Sequence, residues 1–218
     1  QFATGDLLPF PSFIPKTDAL RIQNKANEYE HLKTSTFHVT EKLDGTSCTI
    51  YCYEKDGEEE SFGVCSRNYK LSQGTTSPHT VWADKNTLFS KLQKLDKQYA
   101  IQGELLGPKI QGNYYKLHKT QLYVFNVYDI EGMQYLDKDG IRDIATQLGL
   151  PTVPHIEHVD RLPETIDQAL ELAEGKSILN EKVEREGLVW VICHDDDDFP
   201  SRLSLKTISN RFLTKNKK

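Results

Sequence analysis

No stretch of this 218-residue chain approaches the run of about eighteen apolar residues that a membrane-spanning helix needs, which argues against insertion in a bilayer. Methionine occurs once, tryptophan twice and cysteine four times, and no two cysteines form a CxxC pair. Cys48, Cys52 and Cys65 fall inside β-like, largely apolar runs, so they are expected to be buried thiols rather than members of a disulfide framework or a zinc site. No leader of the secretory type is visible, and a reducing, intracellular compartment is the expectation. An excess of basic residues is missing too: the net charge of -5 argues against a protein that coats nucleic acid nonspecifically. Much of the acidity is concentrated in Asp195-Asp196-Asp197-Asp198, and the chain ends in the basic Lys215-Asn216-Lys217-Lys218; both read as solvated segments. The first residue is Gln1 instead of methionine, from which an upstream part is expected.

What is there is an ordinary globular composition, 37% hydrophobic and 27% charged, long enough for a full catalytic core. The opening Pro9-Phe10-Pro11-Ser12-Phe13-Ile14-Pro15 forbids a helix and predicts an extended segment docked by its aromatics. Strands are predicted over 37–40, 46–53 (where Cys48, Ile50 and Cys52 share a face), 61–67, 99–106, 121–130, 187–193 and 201–205. Asp56-Gly57 is a turn signal, and the last two strands make a hairpin through the acidic run. Helices are predicted from Ser77-Pro78 through Val81, Trp82, Leu88, Leu92 and Leu95, over 136–148 with Gly149 closing it, and over 163–173. Hairpin-linked strands alternating irregularly with helices predict an α+β fold of mostly antiparallel sheets with flanking helices around a central groove. No internal repeat is visible.

The most informative tetrapeptide is Lys42-Leu43-Asp44-Gly45, between two predicted strands. Taken alone, Asp-Gly also suits a tight turn. A lysine is a poor nucleophile while protonated, with an ordinary pKa of about 10.4, and becomes a covalent catalyst when burial or a nearby cation favours the neutral amine. Four further charged residues, Arg67, Glu104, Glu186 and Lys206, interrupt or end apolar strands, where burial without a partner would be costly. Individually they read as surface residues or ion pairs. Jointly with Lys42 they provide acids and bases to surround a phosphate-bearing ligand. His155 and His158 lie three apart without a matching ligand set and read as surface histidines, and Trp82 and Trp190 as core.

Six elements in order carry a resemblance: Glu41-Lys42-Leu43-Asp44-Gly45-Thr46, Ser66-Arg67-Asn68, Gly103-Glu104-Leu105-Leu106-Gly107, the aromatic stretch 123–128, Glu186-Gly187-Leu188-Val189 and Ser204-Leu205-Lys206. The chain resembles the covalent nucleotidyltransferases, namely DNA ligases, RNA ligases and mRNA capping enzymes. It is most similar to ATP-dependent RNA ligases, through Gly103-Glu104-Leu105-Leu106-Gly107 and the stretch Lys206-Thr207-Ile208-Ser209-Asn210-Arg211-Phe212-Leu213. Pro15-Lys16-Thr17-Asp18 and Arg21-Ile22-Gln23-Asn24 resemble the type that carries an OB domain upstream.

The resemblance implies one adenylyltransferase domain over residues 1–218. Lys42 would take AMP from ATP and pass it to a 5′-phosphate RNA end, which a 3′-hydroxyl then attacks. It implies that Glu104 binds ribose hydroxyls, Phe125 stacks on adenine and Glu41 makes the adenine-side contact. Arg67 and Lys206 would bind phosphate oxygens, Arg21 the leaving pyrophosphate, and Asp44, Glu104 and Glu186 a Mg2+ or Mn2+ ion through water. Many relatives have a second lysine in the last motif, where this chain has Ile208, so the phosphate contacts are left open among Arg202, Lys206 and Arg211. The expected protein is an intracellular monomer acting on RNA. A DNA ligase, a GTP-dependent capping enzyme and a noncatalytic nucleic-acid-binding module are the alternatives.

Overall fold

A computed structural model describes residues 7–57, 61–193 and 202–215. The strands are β1 (Leu7–Pro9), β2 (Leu20–Arg21), β3 (Phe37–Lys42), β4 (Thr46–Tyr53), β5 (Ser61–Cys65), β6 (Tyr69–Leu71), β7 (Tyr99–Leu106), β8 (Gln121–Asp129), β9 (Gln134–Tyr135), β10 (Gly187–Ile192) and β11 (Ser204–Ile208). The helices are α1 (Tyr29–Leu32), α2 (Pro78–Lys85), α3 (Leu88–Leu92), α4 (Lys138–Leu148), α5 (Ile166–Ala173) and α6 (Asn210–Lys215). This is the expected α+β class. The chain divides into two compact units, one of residues 1–17 and 45–152 and the other of residues 18–44 and 153–218. The Lys42-Leu43-Asp44-Gly45 motif spans the chain boundary between the two units, after Asp44.

The first unit is built on a seven-stranded sheet in the order β1-β6-β5-β4-β7-β8-β9, antiparallel throughout. Alternation sends Cys48, Ile50 and Cys52 of β4 and Ile101 and Leu105 of β7 into one core with Trp82, Leu88, Leu92, Ile141, Ile144 and Leu148. The opposite face buries Tyr51, Ala100 and Tyr128 against Ile14, with Phe10 and Phe13 beside them, as the docked opening segment predicts. The first predicted helix is two. α2 starts at Ser77 with a reciprocal Thr80 capping box and Pro78 in its first turn, and the chain breaks at Thr87, whose φ is 51°. Helix α4 starts two residues later than predicted, where Asp137 accepts from the Gly140 amide, and ends on left-handed Gly149.

The second unit has a four-stranded sheet in the order β2-β11-β10-β3, antiparallel except between β2 and β11. Phe37 and Val39, Leu188, Trp190 and Ile192, and Leu203 and Leu205 face the core, packed on Ile22, Tyr29, Leu32, Ala169 and Ala173. Helix α5 begins at Ile166, later than the predicted 163, because Thr165 caps it in a reciprocal box with Gln168. β11 is displaced from its predicted span of 201–205, so Lys206 lies inside a strand and not after it. The turns over Ile22–Glu28 and α1 were not predicted, since no apolar period of 3.6 marks them. The acidic run, and the basic end beyond Lys215, lie outside the described residues.

Trp190 is fully buried, meets Phe37 edge-on at 6.2 Å, and donates its indole N–H to the Thr207 hydroxyl at 3.1 Å. Trp190→Ala is expected to cost about 3–5 kcal/mol in urea denaturation, through the void and the unpaired hydroxyl left behind.

Candidate active site

In the second unit, strand register brings several of the predicted residues onto one face. Lys42 is paired with Gly187, Val189 with both Thr40 and Lys206, and Lys206 with Arg21. Paired residues project from the same side of a sheet, and so do alternate residues along a strand. Lys42, Lys206 and Arg21 therefore occupy one face, opposite the core. Gly187 is required by packing: a Cβ there would lie 2.0 Å from the Thr207 carbonyl oxygen of the neighbouring strand.

Lys42 Nζ donates to Glu186 Oε1 at 2.9 Å, in a pair whose side chains retain 26% and 15% of their exposure. The other oxygen, Glu186 Oε2, is buried without a hydrogen-bond partner among the described residues. Burial raises the Glu186 carboxyl above its ordinary range; Lys42 opposes the rise, Asp44 adds to it, and Lys206 opposes it. Burial likewise raises Asp44 against the pull of Lys42. Four predicted residues, Lys42, Asp44, Glu186 and Lys206, are thus in electrostatic contact.

Glu41 points to the opposite face from Lys42 and is almost completely buried, at 1% exposure. Its Oε2 accepts from the Ile178 amide at 2.8 Å, and its Oε1 is buried without a hydrogen-bond partner. Burial raises its carboxyl, with Ser177, the Ile178 amide and Arg185 opposing. The Arg185 side chain donates to the carbonyls of Leu172, Ala173 and Glu174 at the end of α5, fixing the residue just before Glu186. Arg211 pairs with Glu174 at 3.0 Å, whereas Lys206 lies on the Lys42 face. Arg202 follows an undescribed stretch, with a φ of 65°.

In the first unit, Glu104 of β7 accepts from the Gly45 amide at 3.0 Å. A Cβ on Gly45 would come within 2.4 Å of the Leu105 carbonyl, so glycine permits this approach. The β7–β8 register shifts after Gln102, leaving Phe125 as the extra residue of a bulge. Buried Leu122, Val124 and Val127 mark the core side, while half-buried Tyr123 and Phe125 project with Glu104 from the other. Arg67 is exposed in the turn between β5 and β6, where the Ser66 amide donates to the Tyr69 carbonyl at 2.8 Å.

Sequence reasoning missed two supporting groups, His79 and Arg185. His79, buried at 4% exposure, lies 3.1 Å from the Ser47 carbonyl and 3.4 Å from the Thr46 hydroxyl, and burial lowers its pKa. Neither it nor Arg185 stands in a recognisable motif, because each acts on residues distant in sequence or on backbone carbonyls. Among the described residues, no three His, Cys, Asp or Glu side chains form a direct metal-ligand cluster.

The RNA ligase family model matches residues 35–208. The chain belongs to the RNA ligase family. Solved Naegleria gruberi RNA ligases share its fold. A glutamate-to-alanine mutant with AMP and Mn is 37% identical, with a TM-score of 0.83 over 100% of this chain and 63% of that one. A lysine-to-alanine mutant with ATP and Mn is 38% identical, with a TM-score of 0.82 over 100% of this chain and 64% of the other. The ligase with PPi is 39% identical, with a TM-score of 0.81 over 96% and 60%. The chain therefore spans less than two thirds of the length of these relatives. No curated protein matched. The fold is that of the ligase nucleotidyltransferase domain, as the motif order implies.

The raised carboxyls have a consequence for stability. A folded family member that binds these protons more tightly than its unfolded chain loses stability as pH rises from the ordinary Glu value of 4.5 through the raised value. Glu41→Gln keeps an acceptor for the Ile178 amide and removes that titration. Its stability relative to the parent, from urea denaturation across this window, is expected to rise with pH; a difference independent of pH would contradict the buried carboxyl as its source.

Proposed function

We propose that this chain is the adenylyltransferase part of an ATP-dependent RNA ligase. The observation that carries the reading is the Lys42–Glu186 pair at 2.9 Å, with Asp44 and Lys206 in electrostatic contact. The solved relatives with AMP, ATP and PPi support this choice of substrate and leaving group.

Lys42 Nζ attacks the α-phosphorus of ATP, the bond to pyrophosphate breaks, and a lysyl-AMP phosphoramidate forms. Glu186 Oε1 is in place to hold the proton that the ammonium must lose, and burial makes that carboxylate a better base. The orphaned Glu186 Oε2 and nearby Asp44 fit a Mg2+ or Mn2+ ion held through water. Such an ion supplies positive charge that favours the neutral amine and screens the phosphate. Lys206 supplies positive charge to phosphate oxygens from the Lys42 face, and Arg21, in its row, suits pyrophosphate. The open oxygen of Glu41 suits a donor on the adenine side. Glu104, Phe125 and Arg67 enter by motif, as ribose, adenine-stacking and phosphate contacts.

AMP then passes from Lys42 to an RNA 5′-phosphate. A 3′-hydroxyl attacks the activated end, releasing AMP and joining the strands. These steps are displacements at phosphorus, served by positioning and charge. The reading includes an OB module upstream, supported by the resemblance over Pro15–Asp18 and Arg21–Asn24, a monomer, and an intracellular place, supported by the buried thiols of Cys48, Cys52 and Cys65.

Incubation with ATP labelled at the α-phosphate and Mg2+ or Mn2+ is expected to give a denaturation-resistant adduct with the added mass of AMP. Lys42→Ala should give none, and Glu186→Gln should label about a hundredfold more slowly. No parent adduct, or one retained in Lys42→Ala, would overturn the covalent mechanism; label taken from GTP in preference would point to a capping enzyme.

A further inference from the structure

The edge of β3 away from β10 is covered by residues 154–156. Glu41 N–H donates to the Pro154 carbonyl and Ile156 N–H to the Val39 carbonyl, each at 2.9 Å, which sets His155 directly opposite Thr40. His155 therefore extends the row Thr40, Val189, Lys206, Arg21 on the Lys42 face. His38, two residues before Thr40, is on that face too. The His38 and His155 rings stack with centroids 4.8 Å apart and planes 12° from parallel. His155 is exposed and His38 half-buried.

Backbone bonds alone close this edge, so the sheet needs no imidazole at either position. The stack's place relative to the cations gives it a use. Strand geometry puts the Cα of His155 about 8 Å from that of Lys42, one strand across and two residues along, and the Cα of His38 about 13 Å away. Between the stacked rings and the Lys206–Arg21 side lie Thr40, Val189 and Val191, short side chains that leave the face low. A flat stack at one margin and cations at the other match the stacking and charge features of single-stranded nucleic-acid sites. Glu157, the acidic neighbour in sequence, lies 3.8 Å from His158 Nε2.

We infer that the His38–His155 stack is a platform for a nucleobase of the RNA strand whose 5′-phosphate end receives AMP from Lys42. This rests on the ligase reading for the identity of the strand. The adenine of ATP is the other source of a base, and the experiment separates the two.

A fluorescent 5′-phosphorylated single-stranded RNA is titrated into the parent chain, His155→Ala and His155→Phe, and adduct formation from labelled ATP is measured on the same preparations. Replacing the exposed imidazole by alanine is expected to raise the Kd for RNA about tenfold, and phenylalanine, which keeps a flat face, to restore it. Equal RNA affinity in all three overturns the platform, as does a Phe variant no better than Ala. Slower labelling with unchanged RNA affinity assigns the base to ATP and overturns the RNA assignment. Absence of adduct in the parent counts against the ligase reading alone, because the RNA titration reads the platform without catalysis.

Discussion

The ion pair between Lys42 and Glu186 depends on strand order, since residues 144 apart in sequence meet only because β10 lies beside β3 with Gly187 opposite Lys42. The same strand is held on its other side by β11, so closely that Gly187 has no room for a Cβ. Beneath it, Trp190 and Leu188 anchor the strand in the core. Arg185, tied to the end of α5, sets the entry to the strand. The position of one carboxylate thus draws on a register, a close approach, an aromatic anchor and a helix end.

Electrostatically, the second unit tolerates an unfavourable arrangement. Glu41, Asp44 and Glu186 all have carboxyls raised by burial, and two of them leave an oxygen without a hydrogen bond. Burying such groups costs free energy that the surrounding core must offset. Two of these perturbed acids, Asp44 and Glu186, lie beside Lys42, an arrangement that suits nucleophilic and proton-transfer chemistry. In the proposed reading, the two unsatisfied oxygens meet ligand groups, a donor for Glu41 and cation-bound water for Glu186.

The polar face of the four-stranded sheet gives this chemistry a direction. Its rows run from Arg21 and Lys206 across valine and threonine to His155, with Lys42 in the next row. Charge at one side and flat rings at the other suit a substrate that alternates phosphate and base. In the first unit, strand alternation puts Tyr123 and Phe125 on the face of Glu104, and the bulge at Phe125 shifts the pattern by one residue so that Val127 returns to the core side with Val124.

The amino-acid sequence by itself determined the class of fold, most strand positions, the buried tryptophans and thiols, and the family, because alternation, caps and short motifs are local patterns. It could not reveal that Lys42 and Glu41 serve opposite faces with different partners, that Arg211 is taken up by Glu174, that Lys206 lies within a strand, or that His38 and His155 stack. Those facts were decided by tertiary structure alone. Strand register and edge coverage join residues as distant in sequence as Glu41 and Ile178 or His38 and His155, and no local preference of the chain encodes which of them will meet.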